Sequence, residues 1–282
     1  MHTSTILFAK ASRRPRLLNV AKSLTALLLA AISHDAYAES PATGGLAGTF
    51  AWRMEVTHMV NLPLVPDRPN SNVNYLISRV KPLEDGGYEQ VSQMCRTANS
   101  RMMGTGVGVE DSALAHVPPI VERLDVDPQT GRLSTSGHWQ LWGLKDEPEV
   151  YTARFPRSLD DTRKAPFSDW IIDMDNDGEK GVAMRATGLS SAHFSGIQRK
   201  RLDWIGQMVG ADRIVGVISM NKESLVLRSN SRFLKAGRYK AAQSSGGADA
   251  NYFEALRVPD GSDCATVIGL LESGAFVEES PF

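Results

Sequence analysis

Asp173-Met174-Asp175-Asn176-Asp177-Gly178 places three carboxylates on alternate residues and follows them with a glycine. That is the first half of a calcium loop, in which hard carboxylate oxygens converge on the ion and glycine makes the sharp turn. Counted from Asp173, positions 1, 3 and 5 of an EF-hand fall on Asp173, Asp175 and Asp177. Position 7 is Glu179, which would offer its carbonyl, and position 9 is Gly181, where water can substitute. Position 12, a bidentate glutamate in an EF-hand, is Met184. Asp160, Asp161 and Asp169, just upstream, are the candidates for the missing ligand. The competing reading is an acidic turn whose aspartates bond their own backbone. Against it, three crowded carboxylates repel one another, and a cation removes that cost.

Calcium is therefore the expected ion, and its expected role is structural. Trp170-Ile171-Ile172 and Val182-Ala183-Met184 flank the motif with strand-like residues. A signalling hand needs helices there to swing. With the final carboxylate absent, affinity should fall toward the weak end for extracellular modules, about 10⁻⁴ to 10⁻³ M.

Other reactive side chains are dispersed. His58, His116, His138 and His193 form no HExxH pair. Ser190, Ser191 and Ser195 lie near His193, but without a G-x-S-x-G elbow. Gln198-Arg199-Lys200-Arg201 is the densest basic cluster, and in a strand Arg199 and Arg201 share one face, opposite Gln198 and Lys200. Arg199 and Arg201 are candidates to capture an anionic group; the alternative is a charged, solvated edge strand protected from aggregation. Trp52, Trp139, Trp142, Trp170 and Trp204 suit either a ligand cavity or a core.

The N-terminus points to export. Lys10, Arg13, Arg14, Arg16 and Lys22 precede an apolar run from Leu24 to Ile32, and Ala36-Tyr37-Ala38 fits a cleavage site. Residues 1–38 thus read as a signal peptide, too short in its apolar part to be a transmembrane anchor. Its removal takes five of the 31 basic and one of the 32 acidic residues, leaving 26 against 31 and a net charge of about −5. An acidic chain lacks the basic field that nucleic-acid binding requires. The expected location is periplasmic or secreted, where Cys95 and Cys264, the two cysteines of the chain, pair most simply as a disulfide. Two buried free thiols are the alternative.

The elements that must position these residues are mostly strands. Residues 39–47 form a loose leader, and 48–282 a single β-rich domain. Phe50, Trp52, Met54 and Val56 alternate with Ala51, Arg53, Glu55 and Thr57, a half-buried strand that the proline-rich 63–69 stretch should end. Val73 to Val80 and Tyr88 to Cys95 flank the Asp85-Gly86-Gly87 turn as a hairpin. A short helix or turn over 110–116 precedes a second hairpin around Pro128-Gln129-Thr130-Gly131, with Trp139 and Leu141 on one face and Trp142 on the other. Residues 145–168 lack periodicity and read as a long surface loop. Strands follow over 182–187, 192–204, 214–220, 224–228 and 253–258. Cys264, Val267, Ile268 and Leu271 have helical spacing, with Ser262 or Asp263 to cap and Gly274 to end the helix; a final strand competes. The expected fold is mainly β, an antiparallel β-barrel or barrel-like meander with a short C-terminal helix.

Gly48-Thr49-Phe50, Cys95, the acidic loop followed by Gly181-Val182, Gln198-Arg199, Arg213-Ile214-Val215-Gly216 and Cys264 together resemble a group of uncharacterised exported bacterial proteins. That likeness spans most of the mature chain and implies no activity. More distantly the chain is similar to lipocalin-type barrels, through an opening Gly-then-aromatic strand, a meander, a terminal helix and a disulfide to the tail. It departs from them in lacking Gly-x-Trp, since Trp52 lies two residues beyond Phe50. The likeness implies a binding protein for a small apolar or amphipathic ligand. Two other classes stay open: a hydrolase of envelope glycans or lipids using Asp173, Asp175 or Asp177, and a purely structural partner protein.

Overall fold

The computed structural model describes residues 45–62, 65–99, 105–135, 137, 139–188, 191–231 and 234–277. The expected signal peptide over 1–38, most of the expected leader, Pro63, His138 and Ser190 lie outside them. In chain order the strands are β1 (Gly48–Leu62), β2 (Val65–Pro82), β3 (Tyr88–Asn99), β4 (Thr105–Val109), β5 (Ile120–Val126) and β6 (Arg132–Thr135). They continue with β7 (Trp139–Trp142), β8 (Val182–Gly188), β9 (Ala192–Val209), β10 (Arg213–Ser229), β11 (Tyr239–Gln243) and β12 (Asn251–Val258). The helices are α1 (Asp111–Leu114), α2 (Pro148–Thr152), α3 (Leu159–Thr162), α4 (Phe167–Trp170) and α5 (Cys264–Glu272).

All named strands join one antiparallel sheet whose hydrogen bonding returns on itself. β1 pairs β2, then β3, β5, β6, β9, β10 and β12 follow, and β12 pairs β1. The expected mainly β, barrel-like meander with a C-terminal helix is what the chain forms. β9 and β10 are 18 and 17 residues long and extend past the ring, where β7, β8 and β11 attach to them.

Three details differ from the periodicity. The first strand does end at Leu62, before the proline-rich stretch, but that stretch is itself part of the next strand: β2 starts at Val65 and runs through Pro69, which sits opposite Met59. Among the described residues β3 pairs β2 from Asn72 onward, so Pro69 lies outside that ladder, where a proline is tolerated. The 145–168 loop carries α2 and α3, and its last two residues open α4. The end of the leader is held, since Arg257 donates to the carbonyls of Gly45 (3.1 Å) and Ala47 (2.7 Å) and Leu46 is buried.

The inward face of the ring is filled by aromatic and aliphatic side chains at one end. Trp52, Trp204 and Phe253 pack with ring centroids 4.9–5.3 Å apart. Gly206 and Gly216, opposed across β9 and β10, make room for Phe253; a Cβ at either would fall 2.6 or 2.5 Å from its ring. On the outside, α2–α4 bury Val150, Phe155, Phe167 and Trp170 against Leu141, Ile197 and Leu225. Trp139 joins that outer cluster and Trp142 the inner one, as the alternation of β7 requires.

α5 begins at Asp263, whose carboxylate accepts from Ala265 N (3.0 Å) and Thr266 N (3.3 Å). Val267 is fully buried against Ala51, Tyr75 and Ile77 on the outer face of β1 and β2. Cys264 and Cys95 lie at disulfide distance, Sγ–Sγ 1.99 Å, and join α5 to β3. Among the described residues no helix is long and apolar enough to cross a membrane. A Cys264→Ser variant should lose about 2–5 kcal/mol of unfolding free energy in urea titrations. An unchanged midpoint would show that the bridge adds nothing to the packing of α5.

Candidate metal centre

The acidic loop stands on a glycine-lined platform. Its base is closed by Gly181 N donating to Ile172 O (2.7 Å) and Met174 N to Gly181 O (3.1 Å), while Ile172 N reaches Gly143 O (3.1 Å). Gly143, Gly181 and Gly196 stack so closely that a Cβ on Gly143 would lie 2.7 Å from Gly181 Cα, and one on Gly181 2.7 Å from Gly196 O. Buried Met174 fills the space beneath, its Sδ accepting from Gly143 N (3.4 Å). Above this base the chain turns through Asn176 (φ 57°) and Gly178 (φ 89°), both in the left-handed region.

That turn gathers the three carboxylates. Asp173 accepts from Asp177 N (3.2 Å) and Gly178 N (2.8 Å), and Asp177 accepts from Glu179 N (2.8 Å). Asp175 Oδ2 accepts from Ala183 N (2.7 Å), whereas its buried Oδ1 has no hydrogen-bond partner. One oxygen from each of the three lies within 4.8 Å of the others. Two oxygens bound at about 2.4 Å to one ion can be no farther apart than about 4.8 Å, so the three can share a cation. Burial first, and then the charges of Asp177 and Asp173, raise the Asp175 carboxyl above its ordinary range. An unpaired, crowded carboxylate oxygen is what a cation would relieve.

The rest of the expected shell is dispersed. Asp173, Asp175 and Asp177 form the sole such group among the described residues. Asp160 faces Arg163 (3.3 Å), Asp161 accepts from Arg157 N (2.9 Å), and Asp169 accepts from Ser168 Oγ (3.3 Å). All three therefore serve local capping and pairing rather than the loop. The Glu179 carboxylate pairs with Arg228 on β10, leaving its carbonyl as the group it can offer. The flanks are also mixed: Trp170 ends α4, Ile171 makes one bridge to Leu144, and Val182 opens β8.

The basic cluster is rearranged in a more consequential way. β9 is not an edge strand, because β10 lies on one side and β6, β7 and β8 on the other. Arg199 is 8 % exposed and spends its guanidinium on Glu223 (2.6 Å) and on the carbonyls of Val150 (3.0 Å), Tyr151 (3.4 Å) and Ala153 (2.7 Å). It also lies over Trp139 and Phe155. Its work is to fasten α2 and the following turn to the sheet, not to bind a soluble anion. Arg201 pairs with Asp203 (2.9 Å).

The histidine rings engage single partners, His116 with Asn176 (3.3 Å) and His193 with Glu110 (3.0 Å). His58 is buried, and burial, then Lys240 and Lys222, lower it to about 4. Two groups escaped the sequence reading, Lys222 and Lys240, which join Lys200 on the inward face of β9–β11. The signal was the phase of β9 and β10: Lys200 continues Leu202 and Trp204, and Lys222 continues Ile218 and Met220.

Arg199→Met should cost about 3–5 kcal/mol, because Glu223 loses its cationic partner and three carbonyls lose a donor, while Arg201→Ala should cost under about 1 kcal/mol. Urea unfolding and limited proteolysis between residues 145 and 171 read this difference; equal effects would remove the clamp role. Compared with protein-family models, curated proteins and solved structures, the chain finds no match.

Proposed function

We propose that this chain is an exported binding protein, periplasmic or secreted, whose barrel-like sheet holds a small amphipathic molecule and whose Asp173–Gly178 loop carries a structural calcium ion. One observation carries the reading: the inward face is not filled uniformly. Beyond the Trp52–Trp204–Phe253 cluster it turns polar, and several buried polar atoms there have no partner among the described residues. They include both amide atoms of Asn74, Gln140 Oε1 and His58 Nδ1. A core meant only to hold the fold would satisfy or omit such groups, since each one left bare costs about 1–3 kcal/mol. A bound molecule with an apolar body and a polar end fits both parts.

The hydrolase reading gains no comparable support, since Ser195 Oγ has no hydrogen-bond partner and the His193 ring is turned to Glu110. The calcium loop suits a clasp better than a switch, because it joins a short helix to a strand and rests on β9.

Native mass spectrometry of protein isolated from the exporting host's periplasm should show an amphipathic adduct of a few hundred daltons; the bare chain mass in every preparation would overturn the reading. Separately, at about 1 mM calcium and a Kd of about 10⁻⁴ M, the ion should add about 1.4 kcal/mol and raise Tm by about 3–6 °C over chelator. The Asp175→Asn variant should lose that shift. Identical melts of the native chain in calcium and in chelator would remove the ion.

A further inference from the structure

We infer that the inward faces of β9, β10 and β11 form an oxyanion site in which Lys200, Lys222 and Lys240 bind a carboxylate or phosphate group. This rests on the binding reading above and names the polar end of the ligand it would hold.

The register of the sheet brings the three lysines together. Residues directly opposed in an antiparallel pair point to the same face. Leu202, Trp204, Ile218 and Met220 belong to the inner cluster, so Lys200 and Lys222, in phase with them, also point inward. Lys200 is opposed to Lys222 across β9 and β10, and Gln140 of β7 is opposed to Lys200 on its other side. Lys240 is opposed to Ser224, one inward position beyond Lys222, and so lies diagonal to it. His58 reaches the same area because Ser244, bonded to Met220 N (3.1 Å), bridges His58 at the end of β1.

This arrangement is costly unless something negative occupies it. Like charges directly opposed on a sheet destabilise the pair, and burial multiplies the cost. Lys200 is 3 % exposed, with its Nζ 5.4 Å from the centre of the Trp142 ring. Among the described residues no carboxylate pairs with Lys200, Lys222 or Lys240. The outer face of the same two strands is built in the opposite way: Arg199 is opposed to Glu223 and bonded to it, and Arg201 bonds Asp203. On β9 and β10 the acids, Asp203 and Glu223, thus lie on the outer face and none opposes the lysines on the inner one.

Two buried polar groups flank the lysines with atoms left over. Gln140 and His58 are 7 % and 4 % exposed, and Gln140 Oε1 and His58 Nδ1 have no partner. With the amide turned, or with the proton on that ring nitrogen, each becomes a donor to an oxyanion.

The titration of these groups agrees with the geometry. Burial first, and then Lys222, lowers Lys200 to about 7; burial, then Lys240, lowers Lys222 to about 8; burial, then Arg238, lowers Lys240 to about 8. The unfolded chain therefore holds more protons than the fold between pH 7 and 10, and without an anion stability should rise with pH across that window. Anion binding needs the protonated lysines and should weaken as pH passes through 8. His58 stays neutral throughout.

Calorimetry with defined probes tests the site: dodecanoate, dodecyl phosphate, methyl dodecanoate and inorganic phosphate. The two anionic amphiphiles should bind, the neutral ester should bind at least about tenfold more weakly, and Lys200→Met and Lys222→Met should each cost about tenfold or more. Should a variant fail to fold, the pH profile of the native chain decides, with an expected loss of about tenfold between pH 6.5 and 9. Binding of inorganic phosphate with no gain from an alkyl chain would support the oxyanion site and overturn the amphipathic reading. Equal binding of dodecanoate and its ester, insensitive to pH, would overturn the oxyanion site and leave that reading intact. No binding of any anion would overturn the site.

Discussion

The alternation of side chains along the β9–β10 hairpin is the constraint on which the other features depend. The two strands are opposed over most of their length, from Arg213 with Val209 to Ser229 with Phe194, broken by one bulge near Val226 and Arg228. Because the side-chain period is two, this register fixes at once which residues meet the aromatic interior and which meet α2–α4. A slip of one residue would send Trp204 outward and Arg199 into the core. The half of the hairpin near Gly206 and Gly216 closes the ring, and the half near Gly196 seats the acidic loop.

The acidic loop and the outer helices are thereby tied to the same two strands by different physics. Glycines allow the loop's base to approach β9 at backbone distance, and Met174 seals the contact. Arg199 holds α2 by hydrogen bonds to carbonyls at the helix end, within an aromatic and aliphatic cluster. The Glu179–Arg228 pair then links the far side of the loop to β10. The segment from Leu144 to Val182 is consequently a wrapped cover, not the unsupported loop its composition suggests.

Much of this architecture is legible in the residues. Period-two alternation gave β1, the two early hairpins and β9, and the Asp263 cap with the Cys264–Leu271 spacing gave α5. The Asp173–Asp177 spacing likewise identified the carboxylate group that converges among the described residues. What escaped depends on partners remote in sequence. The fate of Asp160, Asp161 and Asp169 was set by local capping of short helices that no period reveals. Arg199 and Lys200 are adjacent and equally basic in sequence, yet one is neutralised by Glu223 and the other faces a buried interior. The phase of β9 puts them on opposite faces, but which face carries Glu223 and the carbonyls of α2 depends on partners that the strand's own residues do not encode.

The ring closes between its first strand and its last. β12, near the C-terminus, inserts between β1 and β10 and supplies Phe253 to the central aromatic cluster. Until it docks, β1 has one neighbour, the interior is open along a seam, and Gly206 and Gly216 border an unfilled slot. Such long-range closure makes folding slow, because the entropy of joining distant segments must be met before their contacts form. It also gives the chain a long interval in which its interior is accessible. A ligand of the kind proposed above could be taken up then, as the seam shuts, and would leave afterwards at the rate at which β12 peels away.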